Sequence, residues 1–171
     1  MKMLWPTMVL LLTAGVLLGQ ETTKGELERS HFKFVHRPTK TEISFGSDVA
    51  VLNKLLGNSK LPSDRTTEID LPGMALKVNQ MCAHNEETGE FQVVPDRYLI
   101  VKASVSSSSY STSKGVTMGS KISQVIDAYG EPYAKTDTSF LYVHREAEEV
   151  WNLVFFVDHE QVVGMVLVRG D

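Results

Sequence analysis

Two stretches of this chain repeat one pattern of apolar and polar positions. Phe45-Gly46-Ser47 opens the first and Met118-Gly119-Ser120 the second, and each closes on a glycine, Gly57 or Gly130, eleven residues after the opening one. Between the brackets, Val49, Leu52 and Leu56, and then Ile122, Val125 and Tyr129, recur at i, i+3 and i+7. That spacing lines one face of a helix. Ser47 and Ser120 stand where a hydroxyl accepts a first-turn N–H, and the closing glycines suit a left-handed helix end. The pattern therefore predicts helices over 47–56 and 120–129. Helices this short are not stable alone, so each needs an apolar bed.

The beds follow in sequence. Strand-like runs lie at 66–70, 74–79, 91–94 and 98–105 after the first helix, and at 139–144, 150–157 and 162–168 after the second. The short polar breaks at 145–149 and 158–161 imply antiparallel meanders. Segments 31–35 and 41–45 read as strands opening the first unit. The run SVSSSSYSTS at 104–113 is low in complexity and reads as a solvated connector. Gly46 and Gly119 are 73 residues apart, and a period seen only twice is a duplication. The expected fold class is α+β: two tandem units, each a short helix packed on an antiparallel β-meander. The expected organisation is a signal peptide at 1–20, a leader at 21–40, a first unit at 41–113 and a second at 114–171.

Residues 1–20 carry Lys2 and then an eleven-residue apolar run at 8–18 interrupted only by Thr13 and Gly15. A bilayer span needs about 20 apolar residues, whereas a secretory signal needs fewer. The expected location is extracytoplasmic, periplasmic or secreted; retention of the segment would make it a membrane anchor instead. Removing it leaves 171 − 20 = 151 residues, with 16 basic against 21 acidic side chains, enough chain to bury most of its unfolded surface.

Composition narrows the function. The chain is 42% hydrophobic and 22% charged with a net charge of −4, without the basic footprint of a nucleic-acid binder. Its one cysteine, Cys82, leaves no intrachain disulfide and no multi-cysteine zinc site, and reads as a buried small hydrophobe. His144 and His159 have acidic neighbours at Glu146, Glu148, Glu149 and Glu160, but these fall in turns and show no metal-ligand spacing. Cys82 and His84 share a strand face, yet nothing orients the imidazole and no oxyanion motif follows. There is no G-x-S-x-G, phosphate loop or dinucleotide fingerprint. The expectation is no catalytic residue, no metal, no cofactor and no enzyme.

The segment KGVTMGSKISQVIDAYGEPY at 114–133, followed by the apolar runs near 140–142, 153–158 and 162–166, resembles the BamE-like and β-lactamase-inhibitor-protein-like modules. The likeness spans 114–168, and more loosely 41–105. It implies a short helix region on an antiparallel sheet, in tandem in the inhibitor members, acting by surface contact. The chain departs from the lipid-anchored group in lacking a lipobox cysteine, and from the secreted inhibitor in lacking paired cysteines. What the resemblance carries over is a sheet presented to a partner. Within 150–157, Trp151, Leu153, Phe155 and Val157 alternate with Val150, Asn152, Val154 and Phe156, so both faces are apolar. The expected function is an exported, non-enzymatic protein-binding module, an inhibitor or sensor of another protein. It would use the sheet face away from the helices, with Tyr98, Tyr142 and Trp151 as binding anchors; core packing is the other reading of these rings. The alternative function is a cell-envelope structural or assembly accessory held by an uncleaved N-terminal segment. The expected partner is a protein, with no nucleic acid, and with membrane only if that segment stays.

Overall fold

The computed structural model describes residues 24–47, 55, 66–147 and 149–170. The segment at 1–20 lies outside them. So does most of the helix expected over 47–56; of its residues, Ser47 and Leu55 are described, and Leu55 is helical and packs against the core.

The strands are β1 (Lys33–His36), β2 (Thr41–Ser44), β3 (Thr66–Leu71), β4 (Met74–His84), β5 (Phe91–Val105), β6 (Tyr110–Thr112), β7 (Ala134–Lys135), β8 (Ser139–Glu146), β9 (Glu149–Asp158) and β10 (Gln161–Gly170). One helix longer than a turn, α1 (Ile122–Tyr129), accompanies them among the described residues. The runs read separately at 91–94 and 98–105 form one strand. Pro95, which has no N–H to donate, lies where the β4–β5 register shifts between Gln80 and Cys82, a place a sheet tolerates proline.

The structure overturns the expected architecture of two tandem helix-on-meander units. The two halves share a single antiparallel sheet in the order β3-β4-β5-β10-β9-β8-β7. β5 of the first half pairs directly with β10 of the second, Met165 opposite Val105 and Val168 opposite Lys102. Two separate meanders would each leave these strands as edges with unpaired backbone groups; joining them removes both edges. The roof over the sheet is not two equivalent helices either. It combines α1 with a small sheet in the order β2-β1-β6. The serine-rich segment read as a solvated connector supplies β6, because Tyr110 and Thr112 point inward on alternate positions and are buried.

Helix α1 lies where expected but starts one residue later than its serine suggests. Lys121 holds the cap position, and the Gln124 side chain accepts its backbone N–H at 2.8 Å. Ser120 instead accepts the N–H of Thr117 at 3.0 Å. The entrance of α1 is tied to the start of β10: Gly119 donates to the Val162 carbonyl (2.8 Å) and Val162 donates to that of Ser120 (2.9 Å). At the other end Gly130, at φ 74°, donates to Ile126 at 2.7 Å. Val125 and Tyr129 face the sheet, and Tyr129 meets Tyr142 and Phe155 at ring distances of 5.4 and 5.5 Å.

The polar N-terminal stretch is strapped to the sheet edge. Leu27 donates to the Val143 carbonyl (2.8 Å) and Val143 donates to that of Gly25 (3.0 Å). The imidazole Nδ1–H of His144 donates to the Leu27 carbonyl at 2.8 Å. The strap then turns through a 3-10 segment (Arg29–His31) into β1. Burial of His31 holds its pKa below the ordinary 6.5, aided by the charge of Lys114 and opposed by Glu28. A base with a depressed folded-state pKa takes up protons more readily when unfolded, so its contribution is present above pH 6.5 and is lost as pH falls below that value. The melting temperature of a His31→Gln variant should therefore decline less than that of the parent between pH 7.5 and 5.5, a window chosen on this linkage.

Candidate functional site

Every strand of the main sheet sorts its side chains onto two faces. The inward set, including Leu76, Ile100, Met165, Leu167, Leu153, Phe155 and Tyr142, is buried beneath the small sheet and α1. Most of the outward set is part-exposed or exposed; Val143, where the N-terminal strap bonds to β8, is the exception at 3%. The composition of the set changes across the sheet. In one row, Asp70, Ala75, Ser104, Val166, Val154 and Leu141 stand opposite one another on successive strands. In the next, Glu68, Lys77, Lys102, Val168 and Asn152 do so. The β3–β5 end of the open face is thus polar and charged, and the β10–β8 end is apolar. Val154, Val166, Val168 and Leu141 are half-buried there, and Phe156 is 44% exposed.

Lys77 and Lys102 face each other across neighbouring strands, a like-charge pairing that costs stability in a sheet. Neither is in an ion pair among the described residues. With Glu68 and Ser104 they line a shallow depression of about 220 Å³ on the open face.

The three expected anchors lie elsewhere, and this corrects the site assignment. Tyr98, Tyr142 and Trp151 are 6%, 0% and 2% exposed, all within the core. The alternation read in β9 holds, but its Trp151 set points toward the roof. Tyr142 donates its hydroxyl to the Gly130 carbonyl at 2.8 Å, and burial, reinforced by Glu131 and Tyr129, raises its pKa well above that of free tyrosine. Trp151 donates its indole N–H to Glu149 at 3.2 Å and packs on Phe45 at 4.8 Å. Large rings remove the most apolar area from water, so a core with few aromatics uses them. The outward residues that replace them were already legible for β9 as Val154 and Phe156. Extending the same two-residue period to β8 and β10 points to Leu141, Val166 and Val168.

A second exposed feature is the distal part of the β4–β5 hairpin. Beyond Gln80 it projects with Cys82 opposite Val93 and His84 opposite Phe91. Phe91 is 74% exposed and its ring stacks edge-on to His84 at 5.2 Å. Cys82 is exposed too, which corrects its reading as a buried hydrophobe. A ribbon of two strands has no second layer to bury it. Cys82 should consequently react with an aromatic disulfide reagent in the native protein as completely as in denaturant; a requirement for unfolding would contradict this placement.

Among the described residues no three His, Cys, Asp or Glu side chains converge as a metal site. His144 stands opposite Trp151, whereas His159 follows the far end of β9. Seven residues of strand separate those levels, roughly 20 Å.

The chain matches no family model, no curated protein and no solved structure. Its functional reading therefore rests on its own surfaces.

Proposed function

We propose that this chain is an exported, non-enzymatic module that binds another protein through the open face of its main sheet. The observation that carries the reading is the apolar end of that face, where Leu141, Val154, Val166 and Val168 lie together part-exposed beside Phe156, which is 44% exposed. A sheet apolar on both faces is ordinarily covered on both. The apolar run at 8–18 supports export.

The test is site-specific photo-crosslinking in the native extracytoplasmic fraction. A benzophenone at position 154 or 156 should yield a discrete protein adduct, and one at His159, in the exposed β9–β10 turn, should not. Phe156→Glu should reduce capture at position 154 at least tenfold, as expected when a charge is forced into an apolar contact. Absence of adducts from both open-face positions, or indifference to Phe156→Glu, would refute the reading.

A further inference from the structure

Beyond Gln80 the β4–β5 ribbon leaves its neighbours behind: β3 pairs with β4 only as far as Asn79, and β10 meets β5 only over Lys102–Val105. The pairs Cys82–Val93 and His84–Phe91 set four side chains on one face of the ribbon. On that face Phe91 is 74% exposed and Val93 39%. At the turn, Asn85 donates its backbone N–H to the Glu90 carbonyl at 2.9 Å. Bonded and non-bonded pairs alternate in an antiparallel ladder, so His84–Phe91 and Cys82–Val93 are non-bonded pairs. The N–H and C=O groups of Phe91 and Val93 therefore point away from β4, along an edge that no described strand occupies.

The charge of this ribbon has one sign. Between residues 80 and 94 it carries Glu86, Glu87 and Glu90 and no Lys or Arg. None of the three is in an ion pair among the described residues. Such a tip repels an anionic lipid surface, a nucleic-acid backbone and a second copy of itself alike. It is complementary to a cationic segment.

We infer that the β5 edge of this ribbon accepts an extended segment of another protein whose alternate residues are apolar and basic. The segment adds as a third strand, a recognition mode in which backbone bonds give affinity and alternate side chains give specificity. Its backbone bonds to Phe91 and Val93, and its apolar side chains lie beside theirs. Its basic side chains fall on the other face, within reach of Glu90 and the two glutamates of the turn. A two-stranded ribbon is marginal by itself, and a third strand both steadies it and closes its open edge. This surface is separate from the apolar end of the open face, and the proposal stands independently of that reading.

The probe is a fluorescent peptide of alternating Leu and Lys, titrated with the full chain and read by anisotropy. It should bind saturably, weaken as salt is added, and slow amide exchange at Phe91 and Val93. The matching Leu–Glu and Ser–Lys peptides should bind at least tenfold more weakly. Phe91→Ser should cost at least tenfold, and so should Glu86→Gln, Glu87→Gln and Glu90→Gln made together. Val93→Pro, which removes an edge N–H but no bond to β4, should abolish the protection at Phe91. Phe156→Glu, on the open face, should leave binding unchanged. Equal affinity for the Ser–Lys peptide, indifference to Phe91→Ser, unprotected amides at Phe91 and Val93, or an equal loss from Phe156→Glu would overturn the proposal.

Discussion

Replacing Phe155 by alanine should lower the unfolding free energy by about 3–5 kcal/mol, while the same change at the adjacent Phe156 should cost roughly 0.5 kcal/mol or less. The contrast follows from the period of two. Phe155 is fully buried, with Tyr142 packed edge-on at 5.9 Å and Tyr129 at 5.5 Å. It stands between Phe140 and Met165 on the flanking strands. Its neighbours are therefore large side chains held by their own strands or by α1, and they have little freedom to collapse into the vacated space. The cost then includes a cavity as well as lost transfer energy. Set against a typical total of about 5–15 kcal/mol, such a loss leaves a small margin or none. Phe156 points the other way, opposite Ser139 and Gly164, and shows 44% of its surface. Urea denaturation of both variants measures the difference. Equal losses would mean that the face assigned as open is in fact packed, and the proposed docking surface would go with it.

The second large effect is expected at Gly25. Its φ is +69°, a region that side chains rarely adopt, and a Cβ placed there would lie 1.9 Å from the backbone nitrogen of Tyr133. Neither problem relaxes through a rotamer, because the obstacle is main chain. Gly25→Ala should force the strap away from β8, breaking the pair of hydrogen bonds between Gly25–Leu27 and Val143 and the bond from His144 to Leu27. The expected destabilisation is about 1–3 kcal/mol, the usual range for imposed backbone strain combined with broken local hydrogen bonds. Amide exchange at Leu27 and Val143 should accelerate, with β4 and β5 amides affected only as far as global stability falls. Unchanged exchange at Leu27 and Val143 would show that the strap does not depend on this glycine.

Much of the local structure was legible along the chain. The spacing of Ile122, Val125 and Tyr129 with Gly130 behind them marked α1, and the Val- and Phe-rich runs marked β8, β9 and β10 within one or two residues at their ends. The two-residue alternation of β9 separated Phe155 from Phe156. These features are local: a helix face or a strand face is a period, and a period is written in neighbouring residues. The candidate sites were legible only in part. The open face follows from alternation once the inner face is known, but the meeting of Arg29, Phe45 and Trp151 does not follow at all, since they come from three separate segments.

Which face became the core, and which strands met, were decided in three dimensions. The apparent duplication suggested two sheets, yet β5 and β10 join them into one because shared edges satisfy backbone groups that separate sheets would leave open. Tyr98, Tyr142 and Trp151 suit an interface and a core equally well by chemistry, and the placement of the small sheet and α1 assigned them to the core. Cys82, apolar enough to be buried, is exposed because its hairpin runs past the layer that would have covered it. By itself the sequence determined the periods and the turns. The pairing of distant segments, which depends on hydrogen bonding and burial between residues far apart in the chain, belonged to the tertiary structure alone.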